Sequence, residues 1–140
     1  ELFRILKPGG TAVVTTPNIL NLNSRLKAFA TGFPVLCDPL PISSDNPQDS
    51  HVHPVSYYYL AYILRKAGFR EVRMHTDKHK RSAMALACLL YPAVKLLEIP
   101  VFRRMERKNA AVFDENRPIL SAINDAPMLL GRTLIVEAVK

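Results

Sequence analysis

His51 and His53 stand two residues apart, so in an extended segment both imidazoles face the same side, with Asp49 close by in the sequence. Such a pair can orient a substrate or take a proton from a hydroxyl near neutral pH. For either histidine alone, a helix cap or a hydrogen bond within its own loop is the structural reading. Thr16, Pro17 and Asn18 close one apolar stretch, and Tyr57 and Tyr58 open another; both groups are candidates to line a substrate pocket. Tyr59 and Tyr62 are expected to cover core. His75 and His79 form an i, i+4 pair, but Lys78, Lys80 and Arg81 beside them would repel a cation, so no metal site is expected. Cys37 and Cys88 match no metal or redox spacing, which suits a reduced intracellular compartment.

These side chains need a frame, and the sequence punctuates one. Leu2, Ile5 and Leu6 sit at helical spacing until Pro8-Gly9-Gly10 ends the helix. Residues 11–16 carry no charge and are β-branched except for Ala12, which predicts a strand buried on both faces of a parallel sheet. Pro17 stops it and leaves Asn18 at the C-terminal mouth, where open α/β sheets place ligands. Leu22, Leu26 and Phe29 predict one apolar face of a helix over residues 20–30, ended by Gly32 and bordering the pocket. Residues 33–54 hold five prolines and read as a long loop or lid. Ser56 would cap a helix striped by Leu60, Ile63, Leu64 and Ala67 and ended by Gly68. Strands are expected over residues 70–74 and 132–139.

A hydrophobic share of 49% with 22% charged residues describes a globular chain, and the net charge is +7. Residues 1–64 balance four basic against four acidic side chains, whereas residues 65–108 set twelve Lys and Arg against Glu71, Asp77, Glu98 and Glu106. That basic block brackets the most apolar stretch, residues 83–102, whose only charges are Lys95 and Glu98. Two readings follow. With Pro92 and Pro100 inside it, the stretch is either an interfacial or re-entrant helix held by its basic flanks on anionic headgroups, or a pair of buried helices over a substrate pocket. The basic residues interleave with aliphatic rather than stacking aromatic side chains, so no nucleic acid is expected as a partner.

The run Arg4-Ile-Leu-Lys-Pro-Gly-Gly10 and its strand resemble the corresponding segment of class I S-adenosylmethionine-dependent methyltransferases. The block from His51 and His53 through Ser56, Leu60, Leu64 and Ala67-Gly-Phe69 is similar to that family's later helix and strand. Leu130-Gly-Arg-Thr-Leu-Ile-Val-Glu-Ala138 is similar to its closing strand. The resemblance covers residues 1–76 and 117–140. It implies a last strand antiparallel to its neighbours and inserted beside the first.

The family's glycine-rich cofactor loop and ribose-binding acid are not found here, since Gly9, Gly10, Gly32, Gly68 and Gly131 form no such cradle. The chain therefore reads as the C-terminal portion, over residues 1–140, of an α/β, Rossmann-like seven-stranded methyltransferase sheet. That portion would hold about three strands with flanking helices and an apolar, basic insertion at residues 77–116. S-adenosylmethionine would be the cofactor of the whole domain and would not bind this portion. The resemblance implies methyl transfer to a hydrophobic or lipid-linked small molecule, with this chain supplying the acceptor side and inactive alone. A non-catalytic membrane-surface or interaction module derived from such a half-domain is the alternative. Residues 78–108 would meet an anionic membrane surface, the open sheet edge would favour oligomers, and the location would be cytoplasmic or peripheral on the cytoplasmic membrane face.

Overall fold

The computed structural model describes residues 1–37, 54–77 and 81–140. In chain order these form α1 (Leu2–Ile5), β1 (Thr11–Pro17), α2 (Leu22–Thr31), α3 (Tyr57–Lys66), β2 (Glu71–Thr76), α4 (Arg81–Lys108), α5 (Ala110–Ile123), α6 (Ala126–Leu130) and β3 (Thr133–Val139). The three strands make one sheet in the order β1-β3-β2. β3 runs antiparallel to both neighbours, with Ala138 opposite Ala12 and Val72, and Val136 opposite Val14 and Met74. The last strand thus lies beside the first and antiparallel to it, as the resemblance implied, and it pairs with β2 on its other side.

The turn before β1 works through backbone geometry. Gly9 takes φ +75°, and Gly10 N–H bonds back to Lys7 C=O at 2.9 Å, which reverses the chain out of α1. Gly9 N–H reaches Lys140 C=O, while Lys140 N–H reaches Gly10 C=O at 2.9 Å, so the turn is stitched to the end of β3. The Lys140 ammonium donates to the Leu6 carbonyl at 2.7 Å and lies 4.6 Å from the Phe3 ring centre. A cation at a helix C-terminus is favourable there.

The core lies on one face of the sheet. Leu134, Val136 and Ala138 alternate inward along β3 and meet Tyr57, Ala61 and Leu64 of α3, Ile119 of α5 and Met128 of α6. A large aliphatic side chain so enclosed contributes about 1.5–3 kcal/mol relative to exposure. Gly68, at φ +106°, ends α3 where a Cβ would stand 2.9 Å from the Phe3 ring, and Phe3 packs edge-on against Phe69 at 5.2 Å.

Several sequence expectations are corrected. β1 is not buried on both faces: Ala12 points into the core, while Thr11, Val13 and Thr15 are exposed, with Val13 at 63%. Its partner is antiparallel, and an antiparallel sheet tolerates a wet face that uncharged threonines can furnish. In α1 the packed residue is Phe3, joined by Leu6 just past the helix, and Leu2 and Ile5 face out. In α2, Leu22 is buried with Ser24, but Leu26 and Phe29 are exposed, Phe29 at 93%. The stripe of α3 is Tyr57, Ala61 and Leu64, with Ile63 and Ala67 outside. Ala61, fully buried, lets the helix axis approach the sheet and sets that phase.

The apolar segment is one helix. α4 runs through Pro92 and Pro100, and the pair of buried helices is therefore not formed. Its partly buried side, at Ala87, Tyr91, Val94, Glu98 and Phe102, meets α5 and α6, and the Phe102 and Phe113 rings lie 5.8 Å apart edge-on. The boundary expected at residue 116 falls inside α5.

Candidate functional site

Two concave surfaces hold the candidates Thr16, Pro17 and Tyr58, and they share no lining residue. The first lies at the sheet edge where β1 and β2 end and β3 begins. A cleft of about 350 Å³ there is lined by Thr15, Thr16, Pro17, Asp77, Arg132 and Thr133, so Thr16 and Pro17 stand at an open mouth. Asn18 does not face it freely. It is 3% exposed, its amide nitrogen donates to Met128 C=O at 2.7 Å and Gly131 C=O at 2.9 Å, and its oxygen accepts from Leu20 N–H at 3.0 Å. Its chemistry is used to hold α6 and the start of β3.

Asp77, which the sequence presented only as a charge, is the carboxylate of this mouth. Oδ1 accepts from Thr133 N–H at 2.7 Å and Arg132 N–H at 3.1 Å, and Oδ2 accepts from Thr133 Oγ1 at 2.9 Å. The Thr133 backbone bond is the main reason its pKa lies below the ordinary carboxylate value, aided by the Thr133 hydroxyl and by Arg132. A carboxylate held in its charged form is a weak base at neutral pH, so Asp77 acts here as a clamp between β2 and β3. Its folded pKa is depressed, so its contribution is complete above the ordinary Asp pKa of about 3.9 and is lost as pH falls through the lower native value. We expect Asp77→Ala to cost about 1 kcal/mol at neutral pH by chemical denaturation, a modest figure because the group is exposed. We expect the difference from wild type to shrink in acid; a difference independent of pH would contradict the clamp.

The second surface lies between α3, α4 and α5. A cleft of about 380 Å³ is walled by Tyr58, Met105, Val112, Phe113, Leu120 and Ile123. The amides at its rim are turned to α5 itself: Asn109 Oδ1 accepts from Val112 N–H at 3.2 Å, and Asn116 Nδ2 donates to Val112 C=O at 2.8 Å. The cleft therefore offers apolar contact and little else. A neighbouring hollow of about 480 Å³ shares Tyr58 and Val112 and brings Arg65, Lys66 and Glu115 to the edge. Lys66 Nζ bonds Tyr62 Oη at 3.2 Å, and Tyr62 stacks on Tyr58 at 6.3 Å.

Of the two tyrosines expected at a pocket, Tyr58 is there and Tyr57 is not. Tyr57 is 4% exposed, packed in the core, and burial pushes its hydroxyl pKa up against the opposing charge of Arg65. Tyr59 and Tyr62, expected to cover core, are exposed instead. Three consecutive tyrosines cannot all share one helical face, and the phase fixed by Ala61 chooses the first. His51, His53 and Asp49 lie outside the described residues. Among the described residues no group of three His, Cys, Asp or Glu side chains comes together to hold a metal ion.

The described residues do not fit S-adenosylmethionine. The turn from β1 into α2 contains no glycine, its Asn18 amide is engaged, and the carboxylate at the mouth is already held by Thr133 and Arg132. Compared with protein-family models, with curated proteins and with solved structures, the chain finds no match in any of the three.

Proposed function

We propose that the chain is the C-terminal, acceptor-side portion of a class I S-adenosylmethionine-dependent methyltransferase domain that acts on a hydrophobic or lipid-linked small molecule. The observation that carries this reading is the strand order β1-β3-β2, with the final strand reversed between the other two, joined to the Lys7-Pro8-Gly9-Gly10 turn that leads into β1. The outer edge of β1, unpaired among the described residues, suits a sheet that continues beyond β1. The apolar cleft beside Tyr58, with Arg65, Lys66 and Glu115 at the adjoining edge, suits an acceptor with an aliphatic body and a polar end. The described residues do not fit the cofactor, so this reading assigns its cradle to other residues of the domain. No step of the transfer is assigned to Asp77 or Tyr58 beyond shaping and lining their clefts.

Calorimetric titration tests this. The 140-residue chain is expected to give no saturable heat with S-adenosylmethionine. A longer product of the same reading frame is expected to bind it and to transfer a labelled methyl group into an organic-soluble acceptor. Saturable binding by the 140-residue chain would overturn the placement of the cradle, and failure of the longer product to bind would overturn the methyltransferase reading. The alternative, a non-catalytic membrane-surface module, is favoured by one observation, the orientation of α4.

A further inference from the structure

We propose that the outer face of α4 seats the protein on the surface of an anionic lipid bilayer, with its leucines in the headgroup boundary and its C-terminal arginines on lipid phosphates. This inference goes beyond the methyl-transfer reading and does not depend on it, since it rests on one helix.

The inner side of α4 is largely apolar, yet leucines also cover its outer side, which water does not select. A surface helix of a water-soluble protein turns its charges out and its aliphatic residues in. Here the only two charges of the apolar stretch turn inward. Lys95 Nζ lies 3.3 Å from Glu98 Oε2 and 3.4 Å from Asp125 Oδ1, and Glu98 accepts from Asn124 Nδ2 at 3.1 Å. The opposite side presents Leu89 at 75% exposure and Leu96 and Leu97 at 68% each. Polar groups packed against protein, with leucines on the outside, is the arrangement that a hydrocarbon boundary favours.

Charge selects the occupant. Positions 89, 96, 100, 103 and 107 follow one another at helical spacing, so the leucine face runs directly into Arg103 and Arg107. Both arginines, with neighbouring Arg104 and Lys108, are exposed. The acidic residues of α4 offer them nothing: Glu98 is engaged as above, and Glu106 pairs with Arg117 of α5 at 3.1 Å. An apolar strip continuing into unopposed positive charge matches an anionic membrane surface. Met84–Lys108 is also long and apolar enough to cross a bilayer by length and composition. Crossing would strip Glu98, Phe102 and Glu106 from α5 and the α5–α6 turn, so the helix lies on the surface with its inner side still packed.

Sedimentation of the full chain with vesicles tests the proposal, using phosphatidylcholine alone and phosphatidylcholine mixed with phosphatidylglycerol, at low and high salt. Wild type is expected to pellet with the mixed vesicles in low salt and to be released by high salt. Leu89→Gln with Leu96→Gln is expected to weaken vesicle affinity about a hundredfold. Arg103→Gln with Arg107→Gln is expected to weaken it about thirtyfold and to flatten the salt dependence. These side chains are exposed, and circular dichroism melts matching wild type confirm that the variants fold. Equal binding to neutral vesicles, or leucine variants that bind like wild type, would overturn the proposal. So would light scattering that shows a wild-type dimer converted to monomer by the leucine changes with no effect on vesicles, because the face would then belong to a second copy of the chain.

Discussion

Arg25→Met is expected to lower stability by about 3 kcal/mol, with a fall of about 10 °C in Tm, although the side chain lines neither cleft. Arg25 is the staple between α2 and the far end of α5. Its Nε donates to Leu20 C=O at 2.6 Å, Nη1 to Asn124 Oδ1 at 2.7 Å and Nη2 to Ile123 C=O at 2.7 Å. Burial pushes its pKa down while the Glu98 charge pushes it back up, and a guanidinium stays protonated through both. Methionine keeps most of the volume and removes all three donors, leaving partly buried acceptors without partners. Asn124 also donates to Glu98, so the loss reaches α4 through the same amide. Arg25→Lys should fall between, since one ammonium cannot reproduce the planar fork. Arg73→Met is the control: Arg73 pairs with Glu71 at 2.5 Å in the open and should cost less than about 1 kcal/mol. Equal costs at Arg25 and Arg73 in urea denaturation would refute the staple.

Arg25 illustrates what the sequence makes legible and what it hides. The turn at Pro8-Gly9-Gly10, the strand after it and the end of α2 at Gly32 follow from local backbone chemistry, and each is found close to its expected place. The inserted antiparallel strand was implied by resemblance rather than by any local signal. Helix phase was legible only in part. In α3 aromatic or aliphatic residues occupy nearly every position from Tyr57 to Leu64, so several stripes fit, and contact with the sheet selects one. In α4 the two prolines suggest a break, yet both lie exposed, and the helix continues through them. Arg25 and Asp77 gave no signal, and Asn18 was read as a pocket residue, because their partners lie 55 to 113 residues away. The apolar cleft likewise joins Tyr58 to residues of α4 and α5 that no spacing connects.

Asn18 is the position where scaffold and site readings predict different results, and we expect the scaffold. Asn18→Ala removes a donor shared by Met128 and Gly131 carbonyls and the acceptor for Leu20 N–H, all at a residue 3% exposed. Unpaired buried groups of this kind cost about 1–3 kcal/mol each, not additively, so a loss of about 3 kcal/mol is reasonable. Asn18→Asp separates the causes. It keeps the acceptor toward Leu20 but turns a carboxylate oxygen toward two carbonyls, and burial beside them raises its folded pKa above the ordinary value. For an acid with a raised folded pKa, the stability of the protonated form is complete below the unfolded pKa of about 3.9 and is lost as pH rises through the folded value. Asn18→Asp should therefore approach wild type most closely near pH 4 and diverge toward neutrality, opposite in sense to the Asp77 clamp. A pocket residue would behave otherwise: both variants would melt like wild type at every pH, and only ligand affinity would change. Urea denaturation across pH decides between them, with no ligand required.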